Sequence, residues 1–172
     1  MNELAQKLEI TLVLIKPDGV RRGLVGEILH RIEQTGLKIT GMKMLTPSQE
    51  QAGKHYTYED IAVRHGEHVR NALINFITSG PIIALAVEGV AAVENLRRLC
   101  GSTDPSKSPP GTIRGDFSHH NFAYVIPSGQ SVRNLIHASA TVAEAASELA
   151  VWFEESELLI YRRSDQEEHF LF

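Results

Sequence analysis

Short apolar runs alternate along this chain with longer stretches that carry helical periodicity. Four runs are typical of strands, at residues 10–15, 37–45, 82–87 and 135–138. Around them, apolar side chains recur every three to four positions, which predicts helices over residues 24–32, 63–77, 90–100 and 141–152. The pattern therefore predicts a protein in which strands and helices follow one another in turn.

Two capping signals refine the helix boundaries. Thr46–Gln49 has the pattern of a capping box with proline at the first helical position, and it predicts a short helix that ends near His55 and Tyr56. Thr141 is the expected N-cap of the last helix, with Glu144 closing a second capping box.

Other segments are expected to be turns or loops. Residues 16–19 have the composition of a turn, and the hydrophobic alternation slips near Gly41, which predicts a β-bulge there. Residues 101–115 are predicted to form a long loop, and loops of this length usually have a function or are disordered. Residues 118–132 are ambiguous, and 122–126 are compatible with an extra strand.

The order of elements, β-α-β-(αα)-β-α-β-α, predicts an α/β (α+β) fold class. The expected architecture is a ferredoxin-like βαββαβ four-stranded antiparallel sheet with helices on one face, added helices and a long loop. A doubly wound parallel sheet is the weaker alternative, because it would place a glycine-rich turn after the first strand, and residues 16–19 are not one.

Composition narrows the class of protein. We expect residues 1–172 to form a single domain with a sizeable core. The net charge of −4 disfavours proteins that mainly coat nucleic acid or membranes, so neither is expected as a partner. The single Cys100 excludes an internal disulfide and fits a reducing compartment. We find no signal peptide and no apolar run of membrane-spanning length, and we therefore expect a cytoplasmic location.

Candidate chemistry is concentrated at the ends of the predicted elements. His137 closes the fourth strand just before a helix start, where α/β proteins tend to expose reactive side chains on a fixed backbone. Lys16, Arg97, Thr103 and Arg114 stand at segment ends or in the long loop, and such groups suit polyphosphate oxygens. Taken singly, each is more typical of a satisfied core histidine or a solvated polar group.

Several stretches nevertheless occur in a characteristic order. They are Ile15–Val20 with Arg22–Leu24, His55-Tyr56, Ser79–Pro81, Gly111–Phe117 and Asn134–Ser139. In this order and at about this spacing they resemble the nucleoside diphosphate kinase family over nearly the whole chain, residues 8–161. No single stretch is specific for this family, whereas all of them together, in this order, are highly specific for it.

The resemblance implies ping-pong transfer of a γ-phosphoryl group from a nucleoside triphosphate to a nucleoside diphosphate. His137 would be the nucleophile that carries the phosphoryl group as phosphohistidine, and Glu148 would accept a hydrogen bond from its other ring nitrogen. Further matches to positions that hold phosphates, sugar or the reacting oxygens are Lys16, Tyr56, Arg97, Thr103, Arg114 and Asn134. Mg²⁺ would be bound through the nucleotide phosphates rather than by direct protein ligands.

The resemblance also implies a homo-oligomer, with a hexamer expected first and a tetramer second. Family members use the loop that corresponds to residues 104–110 at subunit contacts. An apolar chain end, formed by Phe170, Leu171 and Phe172, is also poorly suited to a solitary domain.

The chain departs from the family pattern at three places. Ala140 stands where the family has aspartate, which puts some rate or metal affinity in doubt. About five extra residues precede Ser79, so Val69, with Leu73 beside it, takes the place of the aromatic residue that stacks on the base. About ten extra residues lie between Phe117 and Arg133.

The expected base site is therefore apolar and permissive. Val69 and Leu73 offer no directional donor or acceptor, so purine and pyrimidine nucleotides should both be accepted. His65 or His68 is the alternative source of the base contact.

Two other functions remain open at this point. The first is a nucleotide-binding or regulatory family member with little turnover, suggested by Ala140 and the two insertions. The second is a ferredoxin-like nucleic-acid module, which the negative net charge and the lack of an aromatic Lys/Arg-Gly-Phe strand motif disfavour.

Overall fold

The structure is a computed structural model that describes residues 8–165. The strands are Leu8–Ile15 (β1), Lys38–Leu45 (β2), Ile82–Val90 (β3) and Ile136–Ala138 (β4). The α-helices are Pro17–Arg21 (α1), Val25–Gln34 (α2), Gln49–His55 (α3), Val63–His65 (α4), Glu67–Ile77 (α5), Ala92–Cys100 (α6), Ile113–Phe117 (α7), Phe122–Val125 (α8) and Val142–Trp152 (α9). A π-helical turn spans Tyr58–Ala62, and 3₁₀ turns span Pro105–Lys107, Ile126–Ser128 and Glu155–Glu157. The apolar chain end predicted at residues 170–172 lies outside the described residues.

The four strands form one antiparallel sheet in the order β2-β3-β1-β4. This order confirms the ferredoxin-like prediction. The β2–β3 register shifts between Ile39 and Gly41, so the predicted bulge is also present. Within 8–165, no helix is long and apolar enough to cross a membrane.

Both faces of the sheet are covered. The two crossover helices of the ferredoxin-like core, α2 and α6, share one face as predicted, and the added helices cover the other. Val13 and Ile15 pack with residues of α2 and α6, whereas Leu12 and Leu14 pack with residues of α3, α5 and α9. The unbroken apolar run of β1 is the physical reason, because successive side chains of a strand point to opposite faces.

One helix start and one capping box differ from the sequence prediction. The N-cap of α3 is Ser48, whose Oγ accepts a hydrogen bond from the Gln51 N–H at 3.0 Å, so the predicted cap at Thr46 is wrong. The buried residues of α3 are Ala52, which packs against the sheet, and His55. Thr141 does cap α9, but the Glu144 carboxylate accepts from the N–H of Ala140 rather than closing the box on Thr141.

The predicted helix over residues 63–77 is interrupted. Gly66 has φ 94°, a left-handed value that glycine tolerates, and it separates α4 from α5. The predicted helix over 90–100 begins only at Ala92, because β3 continues to Val90 and Ala91 turns the chain with φ 46°. We call the connection from the π-helical turn through α5, residues 58–77, the hairpin segment.

The predicted loops contain short helices. Pro17 begins α1 where a turn was predicted, which suits proline because its missing N–H is not needed there. The loop 101–115 contains a 3₁₀ turn and the start of α7. Residues 122–126 are not a strand, since Asn121 Oδ1 accepts from the Tyr124 N–H and begins the helical turn α8.

Candidate active site

The polar site residues gather where β1 and β4 lie side by side. The Lys16 N–H donates to the Leu135 carbonyl at 2.8 Å, immediately beyond the paired residues Ile15 and Ile136. His137 is paired with Leu14, and opposite residues of neighbouring strands point to the same face. His137 therefore points toward α9, the helix that carries Glu148.

A tight turn precedes the histidine. Leu135 is fully buried with φ 69°, and the Ile136 N–H donates to the Asn134 carbonyl at 2.7 Å, closing a three-residue turn. Asp18 supports this turn, because its Oδ2 accepts the Leu135 N–H at 3.0 Å. The backbone that positions His137 is thus held in a conformation that is uncommon for leucine.

His137 is hydrogen-bonded to Glu148 through one ring nitrogen. Nε2 lies 2.8 Å from Glu148 Oε1 and 3.0 Å from Oε2, so Nε2 carries the proton and Nδ1 keeps a free lone pair. Ser139 Oγ donates to Glu148 Oε2 at 2.5 Å. The carboxylate is thereby fixed, and it fixes the orientation and the tautomer of the imidazole.

His55 and Trp152 form the wall behind this pair. The His55 ring is 4.6 Å from the His137 ring in an edge-to-face arrangement, and Trp152 Nε1–H donates to His55 Nδ1 at 3.2 Å. The sequence prediction did not include Ser139, His55 or Trp152 among the site residues. The adjacency of His55 to Tyr56 in a matching stretch was the available signal.

Burial sets the charge states of the site. It lowers the pKa of His137 to about 3, with Lys16 and Arg114 adding to the effect, so the imidazole is neutral at physiological pH. Burial likewise lowers the pKa of Lys16 to about 8. Burial raises the pKa of the Glu148 carboxyl above its usual range, while His55 and the Ser139 hydroxyl act in the opposite direction. A neutral imidazole keeps the lone pair that a nucleophile needs, and the neighbouring cations create a positive potential that favours an anionic ligand.

A short chain of hydrogen bonds links three of the predicted residues. Lys16 Nζ donates to Asn134 Oδ1 at 2.8 Å, and Asn134 Nδ2 donates to the Thr103 carbonyl at 2.8 Å. Lys16 and Asn134 are buried, whereas Thr103 is exposed. Asn134 thus aims the lysine and ties the loop 101–115 to the strand ends.

The two predicted arginines have different environments. The buried Arg114 donates to the carbonyls of Asn134, Gly101 and Ile136 at 3.2, 2.8 and 2.6 Å. Three of its five N–H groups therefore hold the backbone of the strand end and of the loop 101–115. Arg97 lies exposed on α6 and acts at a distance, because its charge contributes to the lowered pKa of both His137 and Arg114.

Two cavities flank this centre. The larger, about 580 Å³, is lined by Lys16, Thr103 and Asn134 at its polar end. Its sides are formed by the hairpin segment, which contributes Val69 and Leu73, and by residues of the insertion 118–132. His65 and His68 also line it. The structure therefore brings three of the predicted phosphate or sugar contacts and the predicted base contacts into one cavity.

The smaller cavity, about 520 Å³, is lined by His137, Glu148 and Tyr56. Tyr56 is buried, and burial raises the pKa of its phenol, which therefore stays protonated. Ile61 lines both cavities, so the two adjoin at the hairpin segment. Arg97 and Arg114 stand behind the site rather than in the linings of these two cavities.

The donor set at the centre does not suit Mg²⁺. Within residues 8–165, the one group of three possible metal ligands is His55, His137 and Glu148. Two of these are imidazoles, whereas Mg²⁺ prefers oxygen ligands in an octahedral arrangement. Ala140 is exposed and supplies no oxygen from its side chain. This group therefore offers one carboxylate instead of the several oxygen ligands that Mg²⁺ prefers.

The comparisons with known proteins agree with this geometry. A family model described as nucleoside diphosphate kinase matches residues 9–158. The nucleoside diphosphate kinase of Borreliella burgdorferi is 50% identical over 163 residues, which cover 95% of this chain and 98% of that protein.

Two solved structures are similar over most of their length. One is a transition state mimic of nucleoside-diphosphate kinase from Borrelia burgdorferi with bound vanadate and ADP, with a TM-score of 0.94, 49% identity, and coverage of 96% of this chain and 98% of that one. The other is a halophilic nucleoside diphosphate kinase from Halobacterium salinarum in complex with CDP, with a TM-score of 0.79, 37% identity, and coverage of 93% and 97%.

Proposed function

The chain belongs to the nucleoside diphosphate kinase family of nucleotide phosphotransferases, and we propose that it works by a ping-pong mechanism through a phosphohistidine at His137. The donor would be a nucleoside triphosphate and the acceptor a nucleoside diphosphate. The observation that carries this proposal is the neutral imidazole whose Nε2–H is held by Glu148 while Nδ1 is free.

In the first half-reaction, Nδ1 attacks the γ-phosphorus. The N–P bond forms as the P–O bond to the β-phosphate breaks, and its electron pair leaves with the nucleoside diphosphate. The ring then carries positive charge, which the Glu148 carboxylate stabilises through Nε2–H. In the second half-reaction, a terminal oxygen of an acceptor diphosphate attacks the phosphorus of the phosphohistidine. The new P–O bond forms as the N–P bond breaks, and its electron pair returns to Nδ1 and restores the neutral ring.

Charge neutralisation is the second requirement, because phosphoryl transfer depends on positioning and electrostatics more than on covalent help. Lys16 and Asn134, which line the larger cavity, support binding of the phosphates, and Arg114 and Arg97 add positive charge from behind them. Thr103, at the exposed edge of the larger cavity, would contact the phosphates or the sugar. We place the protonated Tyr56 phenol beside the reacting centre as a hydrogen-bond donor. Mg²⁺ would enter with the nucleotide and neutralise phosphate charge.

The base would lie against Val69 and Leu73 in the larger cavity. Apolar contact discriminates weakly between bases, so we propose that purine and pyrimidine nucleotides are all substrates. Relatives solved with ADP and with CDP support this breadth, because the two ligands carry bases of different size.

We propose that the protein is a homo-oligomer, with a hexamer expected before a tetramer. Met42 and Met44 on the edge strand β2 are about 60% exposed, which supports a contact surface there. Sedimentation at micromolar concentration should therefore give a mass well above 19.1 kDa, and a monomer would contradict the proposal. The cytoplasmic location remains a prediction from the sequence.

The function is tested by initial-rate kinetics with ATP, Mg²⁺ and a different diphosphate acceptor. Ping-pong transfer predicts parallel double-reciprocal lines, and His137→Ala should reduce kcat by roughly 10⁴-fold or more because the nucleophile is lost. His30→Ala is the matched control, since His30 is exposed on α2. Intersecting lines, or a His137→Ala variant with normal turnover, would contradict the mechanism.

A further inference from the structure

The larger cavity has two side walls of different origin. One wall is the hairpin segment, which presents Val69 and Leu73. The other wall is the insertion 118–132, which presents Phe122 and Val125 from α8. The segment that interrupts the family pattern thus lies on the nucleotide cavity rather than projecting away from it.

The insertion wall carries the phenyl ring that the hairpin wall lacks. Phe122 is half-buried and lines the cavity, whereas Val69 occupies the hairpin position where an aromatic residue would be expected. Tyr124 is on the same short helix but is 81% exposed and lies outside the lining. The orientation of α8 therefore selects Phe122 over its aromatic neighbour for the cavity.

Local bonds hold the insertion wall in place. Ser118 Oγ donates to the Arg133 carbonyl at 2.8 Å, which closes the base of the insertion. Asn121 Oδ1 caps α8 at the Tyr124 N–H, and Val125 is buried beneath it. An aromatic ring on an anchored turn loses less entropy on contacting a ligand than a ring on a free loop.

We propose that Phe122 is a specificity-determining residue that stacks on the nucleotide base opposite Val69 and Leu73. This inference rests on the proposed function for the identity of the ligand. The base enters between an aromatic wall and an aliphatic wall, with the phosphates directed toward Lys16 and Asn134. Stacking area grows with the size of the base, so purines benefit more than pyrimidines.

The test compares Phe122→Leu with Tyr124→Leu as the matched control. Calorimetric Kd values are measured for GDP, CDP and inorganic pyrophosphate, the last of which has no base. Phe122→Leu should raise the Kd of GDP by about 2- to 12-fold, raise that of CDP less, and leave that of pyrophosphate unchanged. Tyr124→Leu should change none of the three, and Phe122→Tyr should retain the affinity of the parent protein.

Three outcomes would overturn the inference. An unchanged GDP affinity in Phe122→Leu would place the base elsewhere. An equal loss for all three ligands, pyrophosphate included, would show that Phe122 does not act on the base. A loss of GDP affinity in Phe122→Tyr would show that the aromatic ring, which tyrosine keeps, is not what binds the base. Because binding is measured without turnover, a catalytically inactive parent protein would contradict the proposed function and still leave the stacking result decisive.

Discussion

The centre at the strand ends and the walls of the larger cavity are built in different ways. At the centre, Lys16, Asn134 and Glu148 are buried and each makes at least one side-chain hydrogen bond of 2.8 Å or less. On the walls, His65 and His68 are exposed and the contacts offered to a ligand are largely apolar.

This difference separates two tasks. Hydrogen bonds in a buried site fix geometry and strengthen electrostatics, which suits a reaction common to all nucleotides. Apolar walls contribute affinity without directional readout, which suits a variable base. We therefore expect substitutions at the centre to act on kcat and substitutions in the walls to act on nucleotide affinity.

The largest expected effect among these tests is at Glu148. Glu148→Gln keeps the shape but removes the charge that stabilises the phosphorylated ring, so kcat should fall by about 100-fold with little change in KM. Glu94→Gln is the control, because Glu94 is exposed on α6 and lies outside the linings of both cavities. A loss confined to KM would place Glu148 outside the reacting centre. It would also contradict the expectation that the centre acts on kcat and the walls act on affinity.

A smaller effect should appear in the pH profile. Burial lowers the pKa of Lys16 to about 8, so its positive charge is present below pH 8 and is lost as the pH rises through that value. His137, whose pKa is about 3, stays neutral throughout this range. The kcat/KM of the parent protein should therefore fall about tenfold from its plateau to pH 9.

Lys16→Arg separates the charge from other causes of that decline. Arginine stays protonated at pH 9, so the variant should show a flat profile between pH 7 and pH 9 even if its plateau is lower. The same decline in both proteins would assign the titration to another group.

The smallest of these effects should come from the hairpin wall. Val69→Phe adds stacking area opposite Phe122, so GDP should bind about 2- to 12-fold more tightly while kcat stays the same. Val63→Phe is the control, because Val63 is 71% exposed on α4 and lies outside the lining of the larger cavity. Unchanged affinity for every nucleotide would move the base contact away from Val69.

The sequence predicted the centre better than the walls, for a physical reason. Strands such as β1 are marked by their apolar runs, and Lys16 and His137 stand at or next to strand ends, so their meeting follows from the topology. The contacts around Glu148 depend on how α9 packs against α3 and against the end of β4, which is why His55 and Ser139 were missed.

The walls were harder to predict because their conformation depends on single turns. Gly66 divides a stretch whose periodicity favours one continuous helix. Residues 122–126 have the composition of a strand, but the Asn121 cap makes the first four of them a helical turn. The rotation of α8 about its axis decides that Phe122 rather than Tyr124 lines the cavity. The sequence could not predict this rotation, because a helix of four residues is too short to show a hydrophobic period.

The most direct test of the account is to isolate the phosphorylated protein. The chain is incubated with γ-³²P-labelled ATP and Mg²⁺ without an acceptor, and the label is mapped by mass spectrometry. We predict one phosphoryl group per chain on His137, labile to acid, stable to alkali, and released to any added nucleoside diphosphate. Label on another residue, or sustained turnover by a protein that never becomes labelled, would contradict the central claim.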